Sequence, residues 1–364
     1  MTTTAGTPET EAPQIDEERL MSFVFKAVDE LGATLNAALV VMGDRLGYYR
    51  AMADGQGVTP DELADRTRTD EHYAREWLNA QAAGEYVAYN AATGHYSLPP
   101  EQAFALADET SPVYLPGFFQ IVHGTVRDAP AIIEHARTGT GLGWHEHNAD
   151  VHVGCERFFR PQYNANLVSA WLPALDGVVD TLTAGGRVAD VGCGHGASTV
   201  LMAQAFPQAV FNGFDYHDAS ITTARERARV AGVGDRIAFD QSDAQSLTGG
   251  PYDLVTMFDC LHDMGDPVGA ARRVYDNLAP DGTWMVVEPI AGDHVQDNLN
   301  PVGRTYYAFS TLLCTPASLS QDVGRALGTQ AGQARLTDVA TEAGFSRVRR
   351  VAETPFNMVL EIRR

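Results

Sequence analysis

Basic side chains are scarce in this 364-residue chain: 26 lysines and arginines stand against 47 aspartates and glutamates, for a formal net charge of -21. Such a field repels phosphate backbones and anionic lipid surfaces, and no local basic patch interrupts it, so neither nucleic-acid nor membrane binding is expected. Cysteine is scarce too. Cys155, Cys193, Cys260 and Cys314 lie far apart without a CxxC pairing, which excludes a disulfide framework or a zinc knuckle and fits reduced thiols in a cytoplasmic enzyme. Long apolar runs are missing: the stretch from Ala37 to Met42 is much too short to cross a bilayer. The opening residues, Met1 to Asp16, lack the basic and apolar regions of a signal peptide; rich in Thr, Glu and Pro, they read as a disordered tail.

What is present has ordinary globular composition and enough length for two domains. From Ser22 to Tyr49 apolar residues recur at helical spacing over more than one face, as in a bundle or a subunit interface. Thr59-Pro60-Asp61-Glu62 forms a capping box. A second cap at Thr69 opens a longer helix that stops at Gly84, expected as a left-handed terminator, and a hairpin follows around Asn90 to Gly94. Two short helices and a hairpin are the parts of a winged helix, here within residues 17–103. Its second helix starts Asp70-Glu71 and sets Glu76 against Arg75, the wrong sign for a major groove. Dimerisation and covering of an active site are the expected roles.

Residues 104–182 keep helical spacing, with Trp144, His145, His147, His152, Glu156, Phe159 and Tyr163 crowded together. They line a pocket or simply pack a connecting helix; no HExxH-like pattern marks a metal site, and no metal ligands are assigned. From 183 to 364 the pattern alternates strand and helix. Strands are expected at Arg187–Val191, Val210–Asp215, Ile237–Asp243, Tyr252–Asp259 and Thr283–Glu288. Two more, Arg347–Val351 and Asn357–Ile362, are placed to form an antiparallel edge, so the fold class is α/β, a Rossmann-like doubly wound sheet behind a mainly helical winged-helix domain.

The first of these strands runs into Gly192, Gly194 and Gly196, where glycine lets a ligand approach bare backbone. Gly192, Gly194 and Ala197 also satisfy GxGxxG/A, with Asp215 roughly 20 residues on, so spacing alone admits a dinucleotide. Asp190 before the first glycine and the two closing strands favour another cofactor. For Asp190 and Asp243 a capping role stays open.

Over Gly186 to Arg364 the sequence resembles the class I S-adenosylmethionine-dependent methyltransferases: Asp190-Val-Gly192-Cys-Gly194-His-Gly196 matches their first motif and Phe214-Asp215 their acidic second-strand end. The resemblance implies that the glycine backbone approaches the amino-acid part of the cofactor and that Asp215 accepts from the ribose hydroxyls. It also sets Tyr216 and Ser242-Asp243-Ala244 at the adenine, and Phe258 joins the cofactor-binding set. Phe258-Asp259-Cys-Leu-His262-Asp263-Met-Gly-Asp266 is similar to the His-Asp-Trp-x-Asp signature of winged-helix O-methyltransferases, whose histidine is the catalytic base. Met264 replaces the tryptophan of that signature.

His262 is therefore the expected base, with Glu156 the next candidate for base or cation stabiliser. The insertion Ile290 to Asp322, carrying Arg304 and Tyr307, is a lid over the acceptor or a surface excursion. Asp263 and Asp266 are open to magnesium ligation or helix capping. The expected activity is methyl transfer to a hydroxyl of a hydrophobic or aromatic metabolite by a homodimer joined through its N-terminal helices. Three alternatives stand beside it: carbon methylation through a carbocation, a winged-helix regulator with a vestigial cofactor domain, and a nicotinamide oxidoreductase.

Overall fold

In the computed structural model, residues 14–364 are described, and most of the tail expected over residues 1–16 lies outside them. The chain divides into two compact units at Pro99/Pro100, and the segment 104–182 lies in the second.

In the first unit a long helix, Glu17–Leu46, starts where the Asp16 carboxylate accepts from Arg19 N–H. The capping box is formed: Thr59 Oγ1 accepts from Glu62 N–H (3.3 Å) and Glu62 Oε2 from Thr59 N–H (2.8 Å), opening helix Pro60–Thr67. Two sequence expectations for the next helix, Glu71–Ala83, are corrected. Its cap is Asp70, not Thr69, whose hydroxyl instead accepts from Tyr48. Gly84 has φ -92°, and the left-handed residue is Glu85 at φ 62°. Strands β1 (Ala88–Asn90) and β2 (His95–Ser97) make the short hairpin. The unit's core centres on buried Trp77, whose indole N–H donates to Leu39 O (2.9 Å) with Tyr48 and Tyr49 packed against its rings.

The second unit holds a seven-stranded sheet of β3 (Arg187–Val191), β4 (Val210–Asp215), β5 (Ile237–Gln241), β6 (Tyr252–Phe258), β7 (Leu278–Pro289), β8 (Arg347–Glu353) and β9 (Asn357–Arg363). Their order is β5-β4-β3-β6-β7-β9-β8; the first five are parallel, and β9 pairs antiparallel with both β7 and β8. Neighbouring residues feed opposite faces of the sheet. Val188, Leu254 and Met285 belong to one buried cluster, and Ala189, Val255 and Trp284 to the other. Both faces are covered, which is why these strands read as nearly continuous apolar runs. Strand order reverses between β3 and β6, so a crevice opens beyond the carboxyl ends of those two strands.

Helices Pro116–Thr138 and Ala149–Asn166 pack together beside that crevice. Their close approach depends on glycine: a Cβ on Gly124 would stand 2.8 Å from Val151 N, and one on Gly154 2.7 Å from Ile121 N.

Candidate active site

The crevice opens into a cavity of ≈ 700 Å³ within the second unit. One end is main chain. After Val191 the backbone turns left-handed at Gly192 (φ 73°), where a Cβ would meet Cys260 Sγ at 2.7 Å, and again at Gly194 (φ 51°), which faces open space. Gly194 N–H donates to Asp215 Oδ2 and His217 N–H to Asp215 Oδ1, both at 2.9 Å. Burial pushes the Asp215 carboxyl above its usual range, and these two N–H bonds pull it back. The remaining lone pairs of its oxygens are available to a diol.

Tyr216, Asp243, Ala244 and Phe258 also line the cavity, with Asp243 capping the turn Ala244–Ser246. Asp190 does not. Fully buried, it accepts hydrogen bonds from Ser198 Oγ (2.7 Å), Thr199 Oγ1 (2.5 Å) and Thr256 Oγ1 (2.8 Å). The cofactor contact expected of it is replaced by a knot that ties β3, β6 and helix Ala197–Ala205 together beneath the loop. Gly196 is likewise behind the cavity, where a Cβ would press on Ala224 and Phe239 at 2.9 Å.

The other end is built of side chains. Phe118 stacks on Phe158 with ring centroids 4.3 Å apart, and Phe159, Tyr163 and Trp144 extend the apolar wall. The segment after β7 supplies the facing wall through Tyr306, Phe309 and Leu313, so it covers the cavity and is no simple surface excursion. Here the sequence reading misplaced two residues. Arg304 is exposed, and Tyr307 sits beside Asn298 and does not line the cavity; Tyr306, one position earlier in helix Pro301–Phe309, does.

His262 lies in the short turn after β6, buried to 3% exposure. Pairing of Phe258 with Val287 brings Glu288 of the next strand alongside. Glu288 Oε1 accepts from Leu261 N–H (2.9 Å), while its Oε2 meets His262 Nδ1. The other ring nitrogen, Nε2, is 3.2 Å from Asp263 Oδ1. Burial opposes a charged imidazole, but Asp263 and Glu288 together outweigh it and hold its pKa well above the ordinary histidine value. Burial, reinforced by Glu288, likewise pushes Asp259 well above the carboxylate range; its Oδ1 accepts from Asn357 (2.7 Å).

Glu156 also reaches the cavity, but its Oε1 accepts from Arg227 (2.6 Å) and lies 2.9 Å from Arg160 Nε. The oxygen expected from the sequence to serve as a base or cation stabiliser is thus engaged by two guanidiniums. Arg227 also donates to His195 O (3.1 Å), so Glu156 braces the glycine loop against helix Ala149–Asn166. Asp266 accepts from Gly269 N–H (2.8 Å) as the cap of helix Pro267–Asn277. Among the described residues that line the cavity there is no lysine or arginine.

Known proteins match both parts of the chain. Residues 182–344 match a methyltransferase domain, and residues 34–108 a Rv2258c-like winged HTH domain. A 27-O-demethylrifamycin SV methyltransferase of Amycolatopsis mediterranei is 33% identical over 139 residues, 36% of this chain and 51% of that one. A trans-aconitate 2-methyltransferase of Deinococcus radiodurans is 32% identical over 113 residues, 31% of this chain and 42% of that one. The matched segment thus spans about half or less of these relatives. The human N-acetylserotonin methyltransferase, solved with S-adenosylmethionine, superposes with a TM-score of 0.67 at 16% identity, over 99% of each chain. The chain thus joins a segment that matches a winged helix-turn-helix domain to one that matches a methyltransferase domain, in the fold of a solved S-adenosylmethionine-bound methyltransferase.

Proposed function

We propose that the protein transfers a methyl group from S-adenosylmethionine to a hydroxyl oxygen of a hydrophobic, ring-bearing small molecule, with His262 as the base. The observation that carries this reading is the buried Glu288–His262 pair, set on the sheet edge beside the glycine loop and facing an aromatic cavity.

The cavity fits the cofactor. Gly194 leaves room for a ligand against the main chain, Asp215 offers carboxylate oxygens to a ribose diol, and a lining without lysine or arginine suits a cationic ligand. When bound, the cofactor supplies an electrophilic methyl on a sulfonium. Gly192 and Gly194 would hold its amino-acid end, Asp215 the ribose, and Tyr216, Asp243 and Ala244 the adenine. The aromatic wall excludes water and orients the acceptor, an alignment worth about 7–11 kcal/mol in favourable cases. His262 takes the hydroxyl proton at Nε2, and Glu288 fixes the ring through Nδ1 and stabilises the imidazolium that forms. Carbon methylation gains no support from Glu156, which two arginines already engage.

The same lining bears on the acceptor. An acceptor like trans-aconitate carries carboxylates, and no lysine or arginine lines this cavity among the described residues to receive them, which supports an acceptor without several carboxylates. A dimer is part of the reading. Along helix Glu17–Leu46, Phe23, Leu31 and Leu35 are 67%, 65% and 70% exposed, an apolar row that a second copy would cover. In helix Glu71–Ala83, Arg75 is already paired with Glu71 (2.7 Å), which supports the absence of duplex DNA as a partner. All four cysteines are free, as suits a reducing cytoplasm.

The reading is tested by calorimetry with S-adenosylhomocysteine and with NAD, followed by a panel of phenols, alcohols and carboxylates assayed for S-adenosylhomocysteine release. It expects binding of the first nucleoside only and turnover among the phenols or alcohols. Turnover confined to carboxylates would overturn it.

A further inference from the structure

Three side chains of different chemistry converge on the acceptor side of the cavity, from two separate stretches of chain. His262 and Asp263 come from the turn after β6, and Cys314 ends the π-helical turn Ser310–Cys314. One donor atom from each lies within 4.8 Å of the others. A tetrahedral zinc with bonds of about 2.0–2.3 Å holds its ligand atoms roughly 3.3–3.8 Å apart, so small side-chain adjustments suffice to close around such an ion.

Hydrogen bonding alone leaves this cluster unfinished. Asp263 Oδ1 is buried and has no hydrogen-bond partner, although His262 Nε2 is only 3.2 Å away. An unsatisfied carboxylate oxygen is costly inside a protein, and a cation is one way to satisfy it. The supporting contacts are those a metal site needs. Glu288 occupies His262 Nδ1 and leaves Nε2 to coordinate, the carboxylate–histidine arrangement that orients metal ligands. Thr329 Oγ1 lies 2.9 Å from Cys314 Sγ, where its hydroxyl can donate to a thiolate. Gln321 Nε2 donates to Asp263 O and Ser318 Oγ to Met264 O, pinning the turn to the segment that carries Cys314.

We propose that His262 Nε2, Asp263 Oδ1 and Cys314 Sγ form a three-ligand site for a zinc-class divalent cation, and that its occupancy switches methyl transfer off. Nitrogen, sulfur and one carboxylate oxygen select zinc over magnesium or calcium, which take oxygen ligands. Because all three residues line the cavity, the fourth position opens towards it. Binding releases to solvent the thiol proton of Cys314 and the proton that a charged His262 carries on Nε2, and it ties up the Nε2 lone pair that proton abstraction requires. The inhibitory part rests on His262 acting as base; the binding part does not.

The two parts are separated by spectroscopy and kinetics on the full chain, freed of metal with a chelator. Titration with Co²⁺ is expected to produce a sulfur-to-cobalt charge-transfer band and tetrahedral visible bands. These saturate at one ion per chain and vanish on addition of Zn²⁺. Cys314→Ser loses the charge-transfer band, and Asp263→Asn weakens binding at least tenfold while keeping the band. No band in the wild type, or one that survives Cys314→Ser, overturns the site. In the assay, Zn²⁺ is expected to lower wild-type turnover at least tenfold, reversibly with chelator, and Cys314→Ser to lose that sensitivity. A filled site with undiminished turnover overturns the inhibitory role and counts against His262 as base.

Discussion

The two ends of the cavity are built on different principles. At the cofactor end the contacts come from main chain and short polar groups at strand termini: Gly192, Gly194 and an Asp215 carboxylate held by two amides, above the buried Asp190 knot. These groups cannot shift without disturbing the sheet. At the acceptor end the walls are aromatic side chains on helices Pro116–Thr138, Ala149–Asn166 and Pro301–Phe309, braced by Glu156 and Arg227. Those faces can change with the sheet intact. On the proposed reading, cofactor binding and acceptor choice are therefore separable, and His262 stands at the seam, on the sheet edge beside the aromatic wall.

Substitutions on either side should break this division in a fixed order of size. The largest effect is expected for His262→Ala: single-turnover transfer slows by about 10²–10⁴-fold, while S-adenosylhomocysteine affinity by calorimetry stays within about twofold. Next comes Asp190→Ala, which strips three buried hydroxyls of their acceptor. Urea unfolding should show a loss of about 3 kcal/mol with near-normal turnover by the molecules that remain folded. Asp215→Ala should weaken cofactor binding by about 10- to 100-fold, corresponding to roughly 1.4–2.8 kcal/mol, without altering the order of preference among acceptors. The smallest effect belongs to Phe159→Leu, which should raise the KM for acceptor by about two- to tenfold and leave cofactor affinity alone.

The same contrast governs what could be read from the sequence. The glycine loop and Asp215 were legible because strand, turn and helix follow one another in the chain, so spacing encodes the geometry. Asp190 was recognised but its role was not. Its place in the motif says nothing of the helix hydroxyls, Ser198 and Thr199, or of Thr256, far along the chain, that fold over it. From the sequence Glu288 reads only as a strand end, because its tie to His262 is created by the parallel pairing of β6 with β7. Tyr306 rather than Tyr307 lines the cavity for a reason the residue types do not show: the cap at Asn300 sets the phase of helix Pro301–Phe309, which puts Tyr306 inside and Tyr307 beside Asn298. Cys314 gave no signal at all, since its neighbours His262 and Asp263 are some fifty residues earlier in the chain.

Everything on the acceptor side turns on the Glu288–His262 pair, and the pH dependence of kcat/KM in chelator-treated protein tests it directly. Because the two carboxylates raise the imidazole pKa well above its ordinary value, the basic form accumulates only above the pH range in which an ordinary histidine titrates. The wild-type rate should therefore keep rising with pH beyond the ordinary histidine range. Glu288→Gln removes one of those carboxylates, so its rising limb should move to lower pH and its plateau should fall. A limb at the same pH in both proteins, or a rate independent of pH, would contradict the assignment of His262 as a base held by Glu288.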